Sequence, residues 1–92
     1  MKEQADKNDE FRRTLRGGAV VITTSIARLP SDMKLDIIDA VRKYDDFGSY
    51  DTKHNFGILT MHGYGIGWRI DYLGEASGDD TPLLSVMLAD EM

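Results

Sequence analysis

Apolar residues in this chain recur first at helical spacing, then crowd into a β-branched run, return to helical spacing and finally alternate. Residues 1–8 are polar and read as a flexible N-terminus. Asn8 or Asp9 can then cap a short helix that sets Phe11 and Leu15 four apart on one face, before Gly17-Gly18 ends it. The run from Ala19 to Ile26 is dense in Val, Ile and Thr and predicts an interior strand. Ser31 is a good N-cap for a second helix to about Tyr44, whose inner stripe is Leu35, Ile37, Ile38, Val41 and Tyr44. Its opposite stripe carries Asp32, Asp36, Asp39 and Lys43.

Three strands should follow a loop of mixed acids and aromatics over residues 44–54. They cover Phe56–Met61, Tyr64–Tyr72 and Pro82–Ala89, with His62-Gly63 as the first hairpin turn and the glycine-containing acidic stretch 74–80 as the second connection. In the middle strand Tyr64, Ile66, Trp68, Ile70 and Tyr72 fall on one face, opposite Gly65, Gly67, Arg69 and Asp71. The expected fold is therefore α+β, in the order α-β-α-β-β-β. Two helices pack on one face of a four-stranded, mainly antiparallel sheet, and residues 9–92 form a single domain. Ile38, Val41, Ile58, Ile66, Trp68, Ile70, Val86 and Leu88 are the expected core; the first strand's place in the sheet is open.

The chain's 92 residues are enough for one core, and with no cysteine that core must rest on packing, without disulfides or thiolate metal sites. The apolar runs are too short to span a bilayer, so a cytoplasmic location is expected. Charge adds a direction. From Leu29 onward there are twelve acids and five bases, within a net charge of −5. Such a field repels nucleic-acid backbones and attracts basic protein surfaces. Arg12, Arg13 and Arg16, near the end of the first helix, read as complements to its dipole.

Few residues suggest catalysis. Asp45, Asp46, Asp51 and His54 share one loop, yet their spacing lacks the glycine and terminal glutamate of a calcium loop, so they read as turn and surface residues. Neither His54 nor His62 stands near a recognisable nucleophile motif. Gly63, Gly65 and Gly67 lead into an alternating strand, whereas a phosphate-cradling loop opens a helix. No cofactor is expected. Arg69 and Asp71, neighbours on the polar strand face, are placed to pair.

Several segments nevertheless read together: Asn8-Asp9-Glu10-Phe11-Arg12-Arg13-Thr14-Leu15-Arg16-Gly17-Gly18, Tyr44-Asp45-Asp46-Phe47, His54-Asn55-Phe56-Gly57, Trp68-Arg69-Ile70-Asp71-Tyr72 and Val86-Met87-Leu88-Ala89-Asp90-Glu91. In this order, over nearly the whole chain after residue 8, they resemble a family of small uncharacterised proteins found on plasmids and integrative elements of alphaproteobacteria. Members of that family have a longer polar loop before a His-Asp-Phe-Gly-like segment; this chain is shorter there, with Asn55 in place of the acid. The resemblance implies no established activity, but its setting implies an accessory role against host defence or in element maintenance.

Charge and setting together give the expected function: a small acidic, non-enzymatic binding protein that inhibits a host defence or nucleic-acid-handling protein, such as a CRISPR effector, by occluding a basic surface. Asp32, Asp36, Asp39, Asp45 and Asp46 are the expected partner-binding residues, with no direct contact to nucleic acid or membrane. The alternatives are a small metal-dependent or hydrolytic enzyme using the Asp45–His54 loop, and a structural subunit of an element-encoded complex.

Overall fold

A computed structural model describes residues 4–48, 53–73 and 81–92. Helix α1 spans Gln4–Thr14, strand β1 Ala19–Ile22, the single turn α2 Thr24–Ala27, and helix α3 Ser31–Arg42. Strands β2 (Phe56–Met61), β3 (Tyr64–Leu73) and β4 (Thr81–Leu88) follow, and the 3-10 turn η1 covers Ala89–Glu91. The four strands form one sheet in the order β1-β4-β3-β2. β2, β3 and β4 are an antiparallel meander, and β1 joins β4 in parallel, so the fold is α+β with a mainly antiparallel sheet.

The core lies between one sheet face and the helices. Ile66, Trp68, Ile70, Leu84 and Val86 project from β3 and β4 to meet Phe11, Ile26, Ile37 and Val41, all buried. The alternation in β3 predicts its inner face well, because a half-buried strand must send every second side chain into the core. The His62-Gly63 turn also forms as expected. Both residues have positive φ (54° and 81°), the geometry that matches a two-residue turn to the twist of its strands.

Several expectations are corrected. α1 begins at Gln4, so the boundary read at residue 8 falls inside the helix, and the expected cap residues Asn8 and Asp9 occupy its middle. The reason is that its inner stripe is Asn8, Phe11, Arg12 and Leu15, in which the two polar members are also buried. The first strand stops at Ile22 rather than Ile26. The chain turns into α2 after Thr23, which places Ile26 in the core, and the Thr23 and Ser25 hydroxyls, free of any capping role, donate to the Glu91 carboxylate at 2.9 and 3.2 Å. β1 is an exposed edge strand and not an interior one.

α3 is preceded by Pro30, with Ser31 already its first residue, and Leu35 points outward at 70% exposure instead of joining the core. Ile58, also assigned to the core, lies on the opposite sheet face with Phe56, because Gly57, Leu59 and Met61 take the inner positions. Gly57 decides that parity. It stands opposite Trp68 in the ladder, and a Cβ there would meet the indole nitrogen and the Tyr44 ring at 2.7 Å. The remaining assigned residues hold: Val41, Ile66, Trp68, Ile70 and Val86 are buried, and Ile38 and Leu88 pack against them partly buried.

Candidate functional site

The scattered motif segments converge on a buried clasp that joins α1 to the loop before β2. Arg12 is fully buried, and its guanidinium is used on three sides: Nε donates to the Val41 carbonyl (2.9 Å), Nη2 to the Tyr44 carbonyl (2.6 Å) and Nη1 to Asp9 Oδ1 (2.9 Å). The Val41 carbonyl lies in the last turn of α3, where it has no i+4 donor and otherwise accepts only the Tyr44 N–H (3.2 Å), and the Tyr44 carbonyl follows just beyond the helix. Arg12 is thus a capping cation for α3, presented by α1. Its carbon Cζ lies 5.0 Å from the Trp68 ring centroid and 5.3 Å from that of Phe47, adding cation–π contact in a dry setting.

His54 closes the clasp. Its Nδ1 stands 3.1 Å from both Asp9 carboxylate oxygens, and because a carboxylate only accepts, Nδ1 carries the proton. The imidazole stacks on Phe47 at 3.7 Å with a 2° interplanar angle. Burial pushes the Asp9 carboxyl up, but hydrogen bonds and charge from Arg12 and His54 outweigh it, leaving it below its ordinary value. Next to this group the Tyr72 hydroxyl donates to Asn8 Oδ1 (2.5 Å), and Asn8 Nδ2 donates to the Lys53 carbonyl (2.8 Å). Among the described residues the Trp68 indole N–H has no hydrogen-bond acceptor; it lies beside the Tyr44 ring, 5.3 Å between centroids. Chemically the clasp is occupied: Asp9 is already neutralised by Arg12, and His54 is held by its face and its Nδ1. These contacts fix structure.

The acidic residues lie elsewhere. Asp32, Asp36 and Asp39 are exposed along the outer side of α3, and Asp45 and Asp46 are exposed just beyond its end. Two members of the stripe have partners. Asp36 Oδ2 is 2.7 Å from His62 Nε2 in the β2–β3 turn, and Asp39 Oδ2 is 2.9 Å from Lys43 Nζ. The Lys43 hydrogen bond is the main reason the Asp39 carboxyl lies below its usual range. Asp32 Oδ1 accepts the Met33 N–H (3.0 Å). Leu35, expected in the core, is exposed at 70% and borders this stripe, one helical turn from Asp32 and from Asp39.

The loop considered for metal or catalysis does not assemble as a unit. His54 turns to Asp9 on α1, Asp45 and Asp46 stay exposed, and Asp51 lies outside the described residues. Among the described residues no group of three His, Asp or Glu side chains is placed to hold a metal ion. Arg69 and Asp71 do pair, at 2.9 Å. Asp9 and the buried role of Arg12 escaped the sequence reading; the signal available was the i, i+4 repeat of Asn8 and Arg12 flanking Phe11. No helix among the described residues is long and apolar enough to cross a membrane.

Residues 22–91 match the model of a family described as "Protein of unknown function (DUF3768)". The match covers most of the chain, and the chain belongs to this family. No curated protein and no solved structure matches it. The matched span excludes α1, which supplies Asn8, Asp9 and Arg12 to the clasp.

Proposed function

We propose that this member of the DUF3768 family is a non-enzymatic binding protein whose working surface is the outer face of α3. The observation that carries this reading is Leu35, an exposed aliphatic side chain that lies one helical turn from Asp32 and from Asp39 at the flank of the acidic stripe. Specific interfaces commonly centre on an apolar anchor within a polar rim, and the rim charge selects the sign of the partner. Here the rim is carboxylate, continued by Asp45 and Asp46, so the partner is a basic protein surface. The rigid clasp beneath it, with Arg12 bonded to the carbonyls of Val41 and Tyr44, holds the C-terminal end of α3 in place for docking.

Basic surfaces of this kind occur on proteins that hold nucleic acid, and an acidic face fills them by mimicking the charge of the backbone. The plasmid and integrative-element setting that the motif resemblance implies makes a host defence protein, for example a CRISPR effector, the natural target in the cytoplasm. Inhibition would follow from occlusion alone and needs no reaction.

The direct test is Leu35→Asp. Because Leu35 is exposed, thermal stability should stay within about 0.5 kcal/mol of wild type. Capture of basic nucleic-acid-binding proteins from host lysate should fall about tenfold or more, as expected for a central anchor. Undiminished capture would remove α3 from the binding surface.

A further inference from the structure

We infer that the free edge of β1 is a strand-addition site for an extended, acidic peptide segment of a partner protein. The ladder shows which backbone groups are available. Thr23 donates its N–H to the Val86 carbonyl at 3.1 Å, and Ile22 stands beside Val86 in the parallel register. Alternate residues of a strand serve a given neighbour, so Ala19, Val21 and Thr23 bond to β4, and the N–H and C=O groups of Val20 and Ile22 point away from the sheet. Among the described residues nothing bonds to them. Every residue of β1 is exposed, and the strand carries no charge or proline that would blunt its edge.

The side chains follow from the same register. Val20 and Ile22 lie beside Leu84 and Val86, which belong to the core, so they fall on the helix side of the sheet; each is nevertheless 38% exposed. Val21 is 47% exposed on the opposite side. An added strand would cover apolar surface on both faces while it satisfies the outward main-chain groups, the two sources of specificity and affinity in strand addition.

Charge selects an acidic segment. In a chain of net charge −5, the stretch from Phe11 to Ser31 contains no Asp or Glu. Arg13 and Arg16 precede β1, Arg28 follows it, and Arg42 is tied to the same end of α1 by the bond from its Nε to the Arg13 carbonyl (2.9 Å). All four are exposed, and among the described residues none forms an ion pair. Arg13, Arg16 and Arg42 lie toward the Ala19 end. At the Ile22 end the Glu91 carboxylate, held by the Thr23 and Ser25 hydroxyls and the Leu88 N–H, supplies a negative charge. The acidic residues of the incoming segment therefore belong beside Gly17 and Gly18, with apolar ones beside Val20 and Ile22.

A second copy fits this track poorly. Its own β1 turns into α2 at Thr24, so antiparallel pairing of two 4-residue strands ends there and stays well short of the ~1,000 Å² that a specific dimer buries. A free extended segment has no such turn and continues past Ala19 along Gly17, beside which the space is open. Nucleic acid would satisfy the arginines but has no row of amides and carbonyls to extend the sheet.

This inference is independent of the acidic-face reading, because β1 and the outer face of α3 are separate surfaces that call for partners of opposite charge. The test is amide hydrogen exchange of the full chain, followed by NMR. The probes are two short synthetic peptides of alternating Val and Thr, one Glu-rich at its N-terminal end and one at its C-terminal end, so that either strand direction is served. At least one should slow exchange of the Val20 and Ile22 amides about tenfold in peptide excess, with little change at Val21, whose N–H already bonds to β4. Lys-rich counterparts should give no protection. Arg13→Glu/Arg16→Glu, at exposed positions, should keep the melting profile and lose the protection. Val20→Pro removes an outward N–H without touching the β4 ladder and should lose it too. Should Val20→Pro fail to fold, wild type and the arginine variant still decide. Protection by neither Glu-rich peptide, equal protection by a Lys-rich one, or undiminished protection in either folded variant would overturn the proposal. Protection by single-stranded DNA, or protection that grows with chain concentration alone, would name nucleic acid or a second copy as the occupant and would also overturn it.

Discussion

Replacing Arg12 with alanine should be among the most damaging single changes available to this fold. Three hydrogen bonds vanish together, the Tyr44 carbonyl loses the Arg12 donor, the Val41 carbonyl keeps only the Tyr44 N–H, and the partly buried Asp9 loses the cation that neutralises it. Breaking a buried ion pair from one side costs about 3–5 kcal/mol, and each buried acceptor left without a donor costs about 1–3 kcal/mol before relaxation. These terms overlap, because water can enter the vacated space between Phe47 and Trp68, so the net loss should be about 4 kcal/mol. A domain of 92 residues has roughly 5–14 kcal/mol of total stability, so this is a large share of it. Urea unfolding followed by Trp68 fluorescence measures the loss directly. A double-mutant cycle with Asp9→Asn isolates the ion pair and should give a coupling above about 1 kcal/mol. An Arg12→Ala loss below about 1 kcal/mol would refute the view that the clasp holds α1 and α3 together.

Trp68→Ala should cost about 3–5 kcal/mol, since the indole is fully buried and contacts Tyr44, Phe47 and Arg12 at once; circular dichroism melts give the value. Asp9, Asp39 and Glu91 all have carboxyls below their ordinary values in the folded chain, so the unfolded state binds more protons in acid. Their contribution is complete above the unfolded carboxyl range of about 4 and is lost as pH falls below it, a decline that Asp9→Asn should make shallower in denaturation curves from about pH 6 to pH 2. Magnesium, manganese or zinc in modest excess should leave the melting temperature unchanged, because His54 is committed to Asp9 and Phe47; a saturable rise abolished by His54→Ala would restore the loop as a metal site.

Much of the fold could be read from the sequence because it rests on periodicity. β3 alternates without interruption from Tyr64 to Tyr72, His62-Gly63 has the residue types for a tight hairpin, and α3 repeats apolar residues at helical spacing. The parity of β2 could not be read this way. Apolar residues occupy both of its faces, and the choice between Phe56/Ile58 and Leu59/Met61 is made by the neighbouring indole, which only Gly57 accommodates. Leu35 shows the converse, an apolar residue at a plausible core position that the helix rotation turns outward. β1 is as apolar as an interior strand, yet its edge position depends on which strand it joins, a tertiary fact.

The site divides in the same way. The acidic stripe follows from helical spacing alone, and α3 presents Asp32, Asp36 and Asp39 as the spacing requires. The clasp was visible as separate motif segments, but not as one cluster. Arg12 and Asn8 are polar residues on a buried stripe, and no hydrophobic pattern registers a cation whose purpose is to satisfy the carbonyls of another helix.

The central claim, that the carboxylates of α3 engage a basic protein surface, is tested most directly by charge reversal. The measurement compares capture of a partner by wild type and by Asp36→Lys/Asp39→Lys at low and near-physiological salt, beside a gel-shift with duplex and single-stranded DNA. The Asp36–His62 and Asp39–Lys43 pairs are both exposed to solvent and contribute little to stability, so the variant should remain folded. Capture by the variant should fall, most steeply at low salt where charge is least screened, and wild type should not shift DNA. Equal capture by both proteins, or salt-sensitive DNA binding by wild type, would contradict the account.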